Sequence, residues 1–156
     1  MNRLKNESVF QRKLRASIGY SYFKQCRLKK NHGNEYSEKG VADLDGHIKG
    51  LYIAIECKMW KGRPSTEQVA FLRSVLNTGG LGIFAIYRYD DDTREHTVSW
   101  VPADFPFSYR VKSRMMWPVS KLISVPRDPA NPNEGRTVEV FDCSLLYPLM
   151  EMRRNV

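Results

Sequence analysis

The chain has 156 residues, is 42% hydrophobic and 12% aromatic, and carries 25 Lys plus Arg against 17 Asp plus Glu, a formal charge of +8. That is enough chain for one domain with a real core; it excludes wholesale disorder, and no apolar run reaches the ~18 residues of a membrane span. The N-terminus has charge but no apolar segment of a secretion signal. Cys26, Cys57 and Cys143 form neither a disulfide framework nor a paired zinc motif, so a reducing, cytoplasmic setting is expected. The positive balance suits a partner such as nucleic acid or an anionic membrane, with a generally basic, solvated surface as the lesser alternative.

Residues 7–19 read as a first helix, with Val9, Phe10, Leu14 and Ile18 as the apolar stripe and Gly19 as its stop. Glu7 at its start complements the helix macrodipole, or supplies a carboxylate to a metal site. Residues 20–25 read as a short strand or extended segment. A polar, basic stretch follows, with Arg27, Lys29, Lys30 and Lys39, and a loop at 31–34 around Gly33. Its cations interleave with Tyr20, Tyr22, Phe23 and Tyr36. Such a pattern suits a surface that tracks phosphates, or a solvated loop beside core aromatics.

Residues 40–58, GVADLDGHIKGLYIAIECK, hold the main anomaly. Two apolar runs flank a turn-like DLDGHIKG, and the second run, 51–58, reads as a strand. Strand alternation puts Ile53, Ile55 and Cys57 on one face and Ala54, Glu56 and Lys58 on the other. Two charges inside an apolar strand are costly to bury unless paired or bound to something. Asp43 stands just before the turn, and Asp45 reads as a turn former.

A loop carrying Arg63 leads into a helix, with Ser65 as N-cap and Gln68 completing a capping box. Val69, Leu72, Val75 and Leu76 form its apolar face, and residues 77–80 end it. Residues 81–89 read as a buried strand parallel to 51–58 through a βαβ crossover. Asp90, Asp91 and Asp92 make a turn, and 96–102 reads as an antiparallel strand. Six of the eight prolines fall in residues 102–135, so a loop-rich surface excursion is expected there. Within it Arg110, Lys112 and Arg114 would share one face of an extended segment. Residues 137–142 read as a last strand, and 144–154 as a short helix limited by Pro148. The domain is read as single, 1–156, with its core at about 5–102.

If the two runs pair, Asp43 and Glu56 converge at one end of the sheet. Two carboxylates, the Cys57 carbonyl and waters make an oxygen-rich site suited to Mg2+, with Mn2+ as a substitute. Such a cation neutralises phosphate and lowers the pKa of bound water. Lys58 can orient or deprotonate that water, or hold the phosphate. A plain surface ion pair between Glu56 and Lys58 is the alternative.

This combination resembles the PD-(D/E)xK nuclease superfamily: Asp43 in the acidic position, then Glu56, Cys57 and Lys58 on the next strand. The likeness is greatest to RecU-type Holliday-junction resolvases and VRR-type nucleases, through Asp43, Gly46 and Gly50, a helix led by Gln68, and Gly79-Gly80 before an apolar strand. Ala42 stands where many members have proline. The resemblance implies a restriction-endonuclease-like α/β core, a mixed central β-sheet flanked by helices. It implies a metal-dependent DNA endonuclease with Asp43, Glu56, Lys58 and Gln68 as catalytic residues. Asp43, Glu56, the Cys57 carbonyl and Glu7 are the implied metal ligands. The implied substrate is branched DNA, which asks for a homodimer to cut two strands symmetrically. Arg27, Lys29, Lys30, Lys39 and Arg63 are the expected DNA contacts. A nicking enzyme or exonuclease on simpler DNA, and a non-catalytic DNA-binding module, are the alternatives.

Overall fold

The computed structural model describes residues 1–31, 40–117 and 121–155. Lys39, Tyr36 and the expected loop around Gly33 lie outside them. Helix α1, Glu7–Ser21, starts on Asn6, whose side chain accepts the Val9 N–H at 2.9 Å. It runs past Gly19, because Tyr22 N–H still reaches Ile18 O at 2.9 Å. The expected extended segment at 20–25 is therefore the last turn of α1 and a tight bend, with Lys24 at φ 64°. Tyr22 is buried and its hydroxyl donates to Cys143 O, so it packs in the core instead of offering a surface ring.

The start of the basic stretch then forms edge strand β1, Cys26–Lys30. It pairs antiparallel with β2, Leu44–Ile48, which pairs antiparallel with β3, Leu51–Met59. Most of DLDGHIKG is thus strand, and the turn is only Lys49-Gly50. Both turn residues have positive φ, 50° and 82°, the combination a two-residue hairpin favours because it matches strand twist. Gly46 sits inside β2 at φ 153°, where a Cβ would stand 1.8 Å from Arg27 O. Only glycine lets β1 come this close.

Helix α2, Thr66–Asn77, carries β3 over to β4, Leu81–Tyr89, and the two strands pair in parallel as expected. Strand β5, His96–Pro102, pairs antiparallel with β4. The whole sheet runs β1-β2-β3-β4-β5-β6, with β6 the two-residue Met116–Trp117. This is the mixed sheet flanked by helices that the sequence implied. Phe10 of α1 stacks against Tyr87 on the Ile53 and Ile55 face. On the other face α2 lies so close to β4 that a Cβ on Gly82 would meet Leu72 O at 2.1 Å. Both faces of β3 are covered, and so Glu56 and Lys58 are buried.

Residues 109–114 are not extended. They form α3, Tyr109–Arg114, capped by Ser108, and Lys112 is buried instead of sharing an exposed face with Arg110 and Arg114. Strands β7, Leu122–Pro126, and β8, Thr137–Phe141, make a separate two-stranded sheet beside α1. Phe141 meets Phe10 edge-on, and its N–H donates to Ser17 Oγ at 2.9 Å. Helix α4, Leu146–Arg154, follows, and Pro148 lies in its first turn, where no helical N–H is needed. Pro148 therefore does not limit the helix. Phe141, Cys143, Leu146 and Met150 join the same buried cluster as Leu4, Phe10 and Ile55. Its limits thus reach beyond about 5–102, since the apolar faces of α4 and β8 close the core. No helix among the described residues is long and apolar enough to cross a membrane.

Candidate active site

The polar cluster forms at the carboxyl end of β3, where four elements meet. Register Leu44↔Ile55 sets Asp43, just before β2, beside Glu56. Asp43 Oδ2 accepts the Cys57 N–H at 2.8 Å, so its carboxylate is tied to the strand that carries Glu56 and Lys58. Glu56 is 2% exposed. Its Oε1 accepts from Gln68 Nε2 at 2.8 Å, and its Oε2 is buried with no hydrogen-bond partner. Burial above all, and then the neighbouring Asp43, push the Glu56 carboxyl up to about 9, while Lys58 opposes the shift.

Gln68 has two tasks at once. It completes the expected capping box: Ser65 N–H donates to Gln68 Oε1 at 2.8 Å, and Gln68 N–H donates to Ser65 Oγ at 3.1 Å. Its amide nitrogen is thereby left pointing at Glu56. The cap orients the side chain, so one amide serves both the helix start and the buried carboxylate.

Glu7 arrives from the start of α1. Its Oε1 and Lys58 Cδ lie 3.3 and 3.5 Å from the point where a Cβ on Gly62 would sit. Glu7, Asp43 and Glu56 all push the buried Cys57 thiol upward, after burial itself. Their negative fields therefore overlap at Cys57, with Lys30 opposing. Among the described residues, no three His, Cys, Asp or Glu side chains converge into a group able to enclose a metal ion. The tight pair is Asp43 and Glu56, and Glu7 is the outlying carboxylate. Lys58 is 8% exposed and, among the described residues, makes no ion pair.

Arg27 and Lys29 project from the exposed side of β1, and Lys30 bends toward the cluster, its Nζ donating to Ser8 Oγ at 3.3 Å. Arg63 is exposed on the β3–α2 loop. Asp45 is not a turn former. It sits in β2, accepting from Asn31 Nδ2 at 2.7 Å and Tyr52 OH at 2.7 Å, with Lys29 Nζ at 3.9 Å. Asn31 is the residue the sequence did not single out. Its N–H donates to Asp43 O and its side chain to Ala42 O, both at 2.8 Å, so it clamps the backbone that carries Asp43. An asparagine one residue past a basic strand reads locally as a loop former, and only the pairing of β1 with β2 reveals its partners.

No family model matches the chain, and no curated protein matches it. Among solved structures, the chain is similar to Hjc from Archaeoglobus fulgidus, a Holliday junction resolvase from an archaeal hyperthermophile. The two share 17% identity and a TM-score of 0.46, over 90% of this chain and 89% of that one.

Proposed function

We propose that this chain is a divalent-metal-dependent DNA endonuclease acting on branched DNA. The observation that carries the hydrolytic reading is the Asp43–Glu56 pair, with Glu56 Oε2 buried and unpartnered beside Lys58. Burying two carboxylates together without a compensating cation is costly, and an adjacent hard cation removes that cost. The donor set fits Mg2+, which accepts a few carboxylate oxygens and keeps several waters. Asp43 and Glu56, with the Cys57 carbonyl, would hold it, and Glu7 stands in reserve at the rim. When bound, the cation supplies charge neutralisation at phosphate and a more acidic water.

The chain's own residues supply the rest. Lys58, held in a nearly closed position, presents an ammonium to a phosphate oxygen or to the attacking water. Gln68, fixed by its cap, holds Glu56 in one rotamer. The Asp43–Cys57 bond fixes the second carboxylate against the same strand. Arg27, Lys29 and Lys30 attract the phosphate backbone, helped by the overall +8 charge. Branched DNA calls for paired incisions, which two copies of the chain would make from two sites.

The test is cleavage of labelled four-way junction, duplex and single-stranded DNA in Mg2+ and in EDTA, with Lys58→Ala and Asp43→Asn in parallel. The expected result is Mg2+-dependent cutting that both substitutions abolish, fastest on the junction. Binding without cutting of any substrate overturns the enzyme; equal rates on junction and duplex overturn only the branched substrate.

A further inference from the structure

Just beyond Lys58 the β3–α2 loop and α3 enclose a second cleft, of about 370 Å³, that the hydrolytic site does not use. Trp60 forms one wall. Lys112 Nζ lies 4.9 Å from the Trp60 ring centre and 5.3 Å from that of Phe107, and donates to Trp60 O at 2.6 Å. Lys112 is 8% exposed, and no carboxylate pairs with it among the described residues. A buried ammonium is usually matched by an anion. Here its charged neighbour is another cation, Arg63, and burial first, then Arg63, lowers the Lys112 pKa. Lys61 adds a third positive charge at the rim. Over this basic floor stands Tyr109, 65% exposed, its ring edge-on to Trp60 at 5.6 Å. An exposed aromatic ring beside unmatched cations is the pairing that recognises a nucleotide, with a π-face for the base and charge for the phosphate.

We propose that this cleft binds an unpaired nucleotide of the DNA strand, its phosphate against Lys112 and Arg63 and its base stacked on Tyr109. The inference rests on the DNA reading above and deepens it. The cleft begins at Trp60, two residues past Lys58, so it adjoins the end of β3 that carries the hydrolytic site. A fully paired duplex has no free base to offer, so the cleft selects for a single-stranded arm or a locally opened branch point.

Binding is measured in EDTA by fluorescence anisotropy, so that no cutting is needed. The probes are a blunt duplex and the same duplex with a single-stranded arm, the arm also being made with abasic sites. The wild-type chain is expected to favour the armed duplex. Tyr109→Ala should weaken armed binding roughly tenfold and spare the blunt duplex, with Tyr109→Phe restoring the affinity. Abasic sites should reproduce the Tyr109→Ala loss, and Arg63→Ala should weaken binding to normal and abasic arms alike. Unchanged melting temperatures check the folding of each exposed variant. Equal affinity of the wild type for armed and blunt duplex, or equal loss on both with Tyr109→Ala, overturns the proposal. Failure of the nuclease reading would show separately, as absent cleavage in Mg2+.

Discussion

Gln68 Nε2 donates to Glu56 Oε1 across 2.8 Å while Gln68 Oε1 accepts from Ser65 N–H. One amide thus joins the start of α2 to the buried carboxylate of β3. The two halves can be separated by mutation. Ser65→Ala removes only the Oγ half of the box and keeps the backbone N–H that holds Gln68 Oε1, so it should cost about 1 kcal/mol in urea unfolding, with cleavage nearly unchanged. Gln68→Ala also strips Glu56 of its donor, so stability should fall further, by roughly 1–3 kcal/mol for the orphaned acceptor. Cleavage should drop at least tenfold. Equal effects of the two substitutions on cleavage would refute a role for Gln68 beyond the cap.

Glu56 predicts an unusual pH dependence. Its carboxyl is raised to about 9 in the folded chain, against an ordinary carboxylate value when unfolded. Between those values the folded state holds a proton that the unfolded state has lost. The stability linked to Glu56 is therefore full below the ordinary carboxylate range and is lost as pH rises toward 9. In EDTA, Glu56→Gln should melt above the wild type, by a margin that widens from pH 5 to pH 8. Mg2+ should raise the wild-type melting temperature and leave the variant unmoved. A margin that stays flat with pH would refute burial and Asp43 as the source of the shift.

Gly46→Ala should be among the most damaging single-methyl changes in the chain. The new Cβ would collide with Arg27 O at a position of positive φ, which predicts a loss of about 3 kcal/mol. Gly50→Ala also sits at positive φ but meets nothing within 4 Å, so it should cost only about 1 kcal/mol. Chemical unfolding of the two variants gives the comparison. Because β1 carries Lys30 and leads into Asn31, Gly46→Ala should also slow cleavage under conditions where the chain remains folded.

Arg27 and Lys29 give an electrostatic prediction. Alanine at either should weaken DNA binding evenly across sequences and lower the slope of log affinity against log salt by about 0.9. The Lys29 change also removes the 3.9 Å approach to Asp45; because the lysine is mostly exposed and Asp45 keeps Asn31 and Tyr52 as donors, the melting temperature should stay nearly unchanged. Anisotropy titrations at several salt concentrations read the slope.

Much of this fold was legible because it is local. The capping box at Ser65 and Gln68, the turn of Asp90–92 and the alternation of β3 each depend on residues a few positions apart. Where reading failed, a distant partner overrode a local signal. Gly19 does not stop α1, because the buried Tyr22 holds the next turn in place. The alternating cations of 110–114 fold into α3, where Lys112 finds the carbonyl and ring of Trp60, 52 residues away in sequence, and the ring of nearby Phe107.

By itself, the sequence determined the antiparallel pairing of β4 with β5, the crossover and the order Asp43, Glu56, Lys58 and Gln68, since strand period and helix capping are properties of neighbouring residues. Only the tertiary structure decided which carboxylates share one desolvated space. Asp43 joins Glu56 because register places it there, while Asp45 is drawn off to Asn31 and Tyr52. It also decided that the proline-rich tail closes the core and builds a basic aromatic cleft beside the site. Burial and the fields of neighbouring charges depend on contacts between residues far apart in the chain, and no spacing within a single segment encodes them.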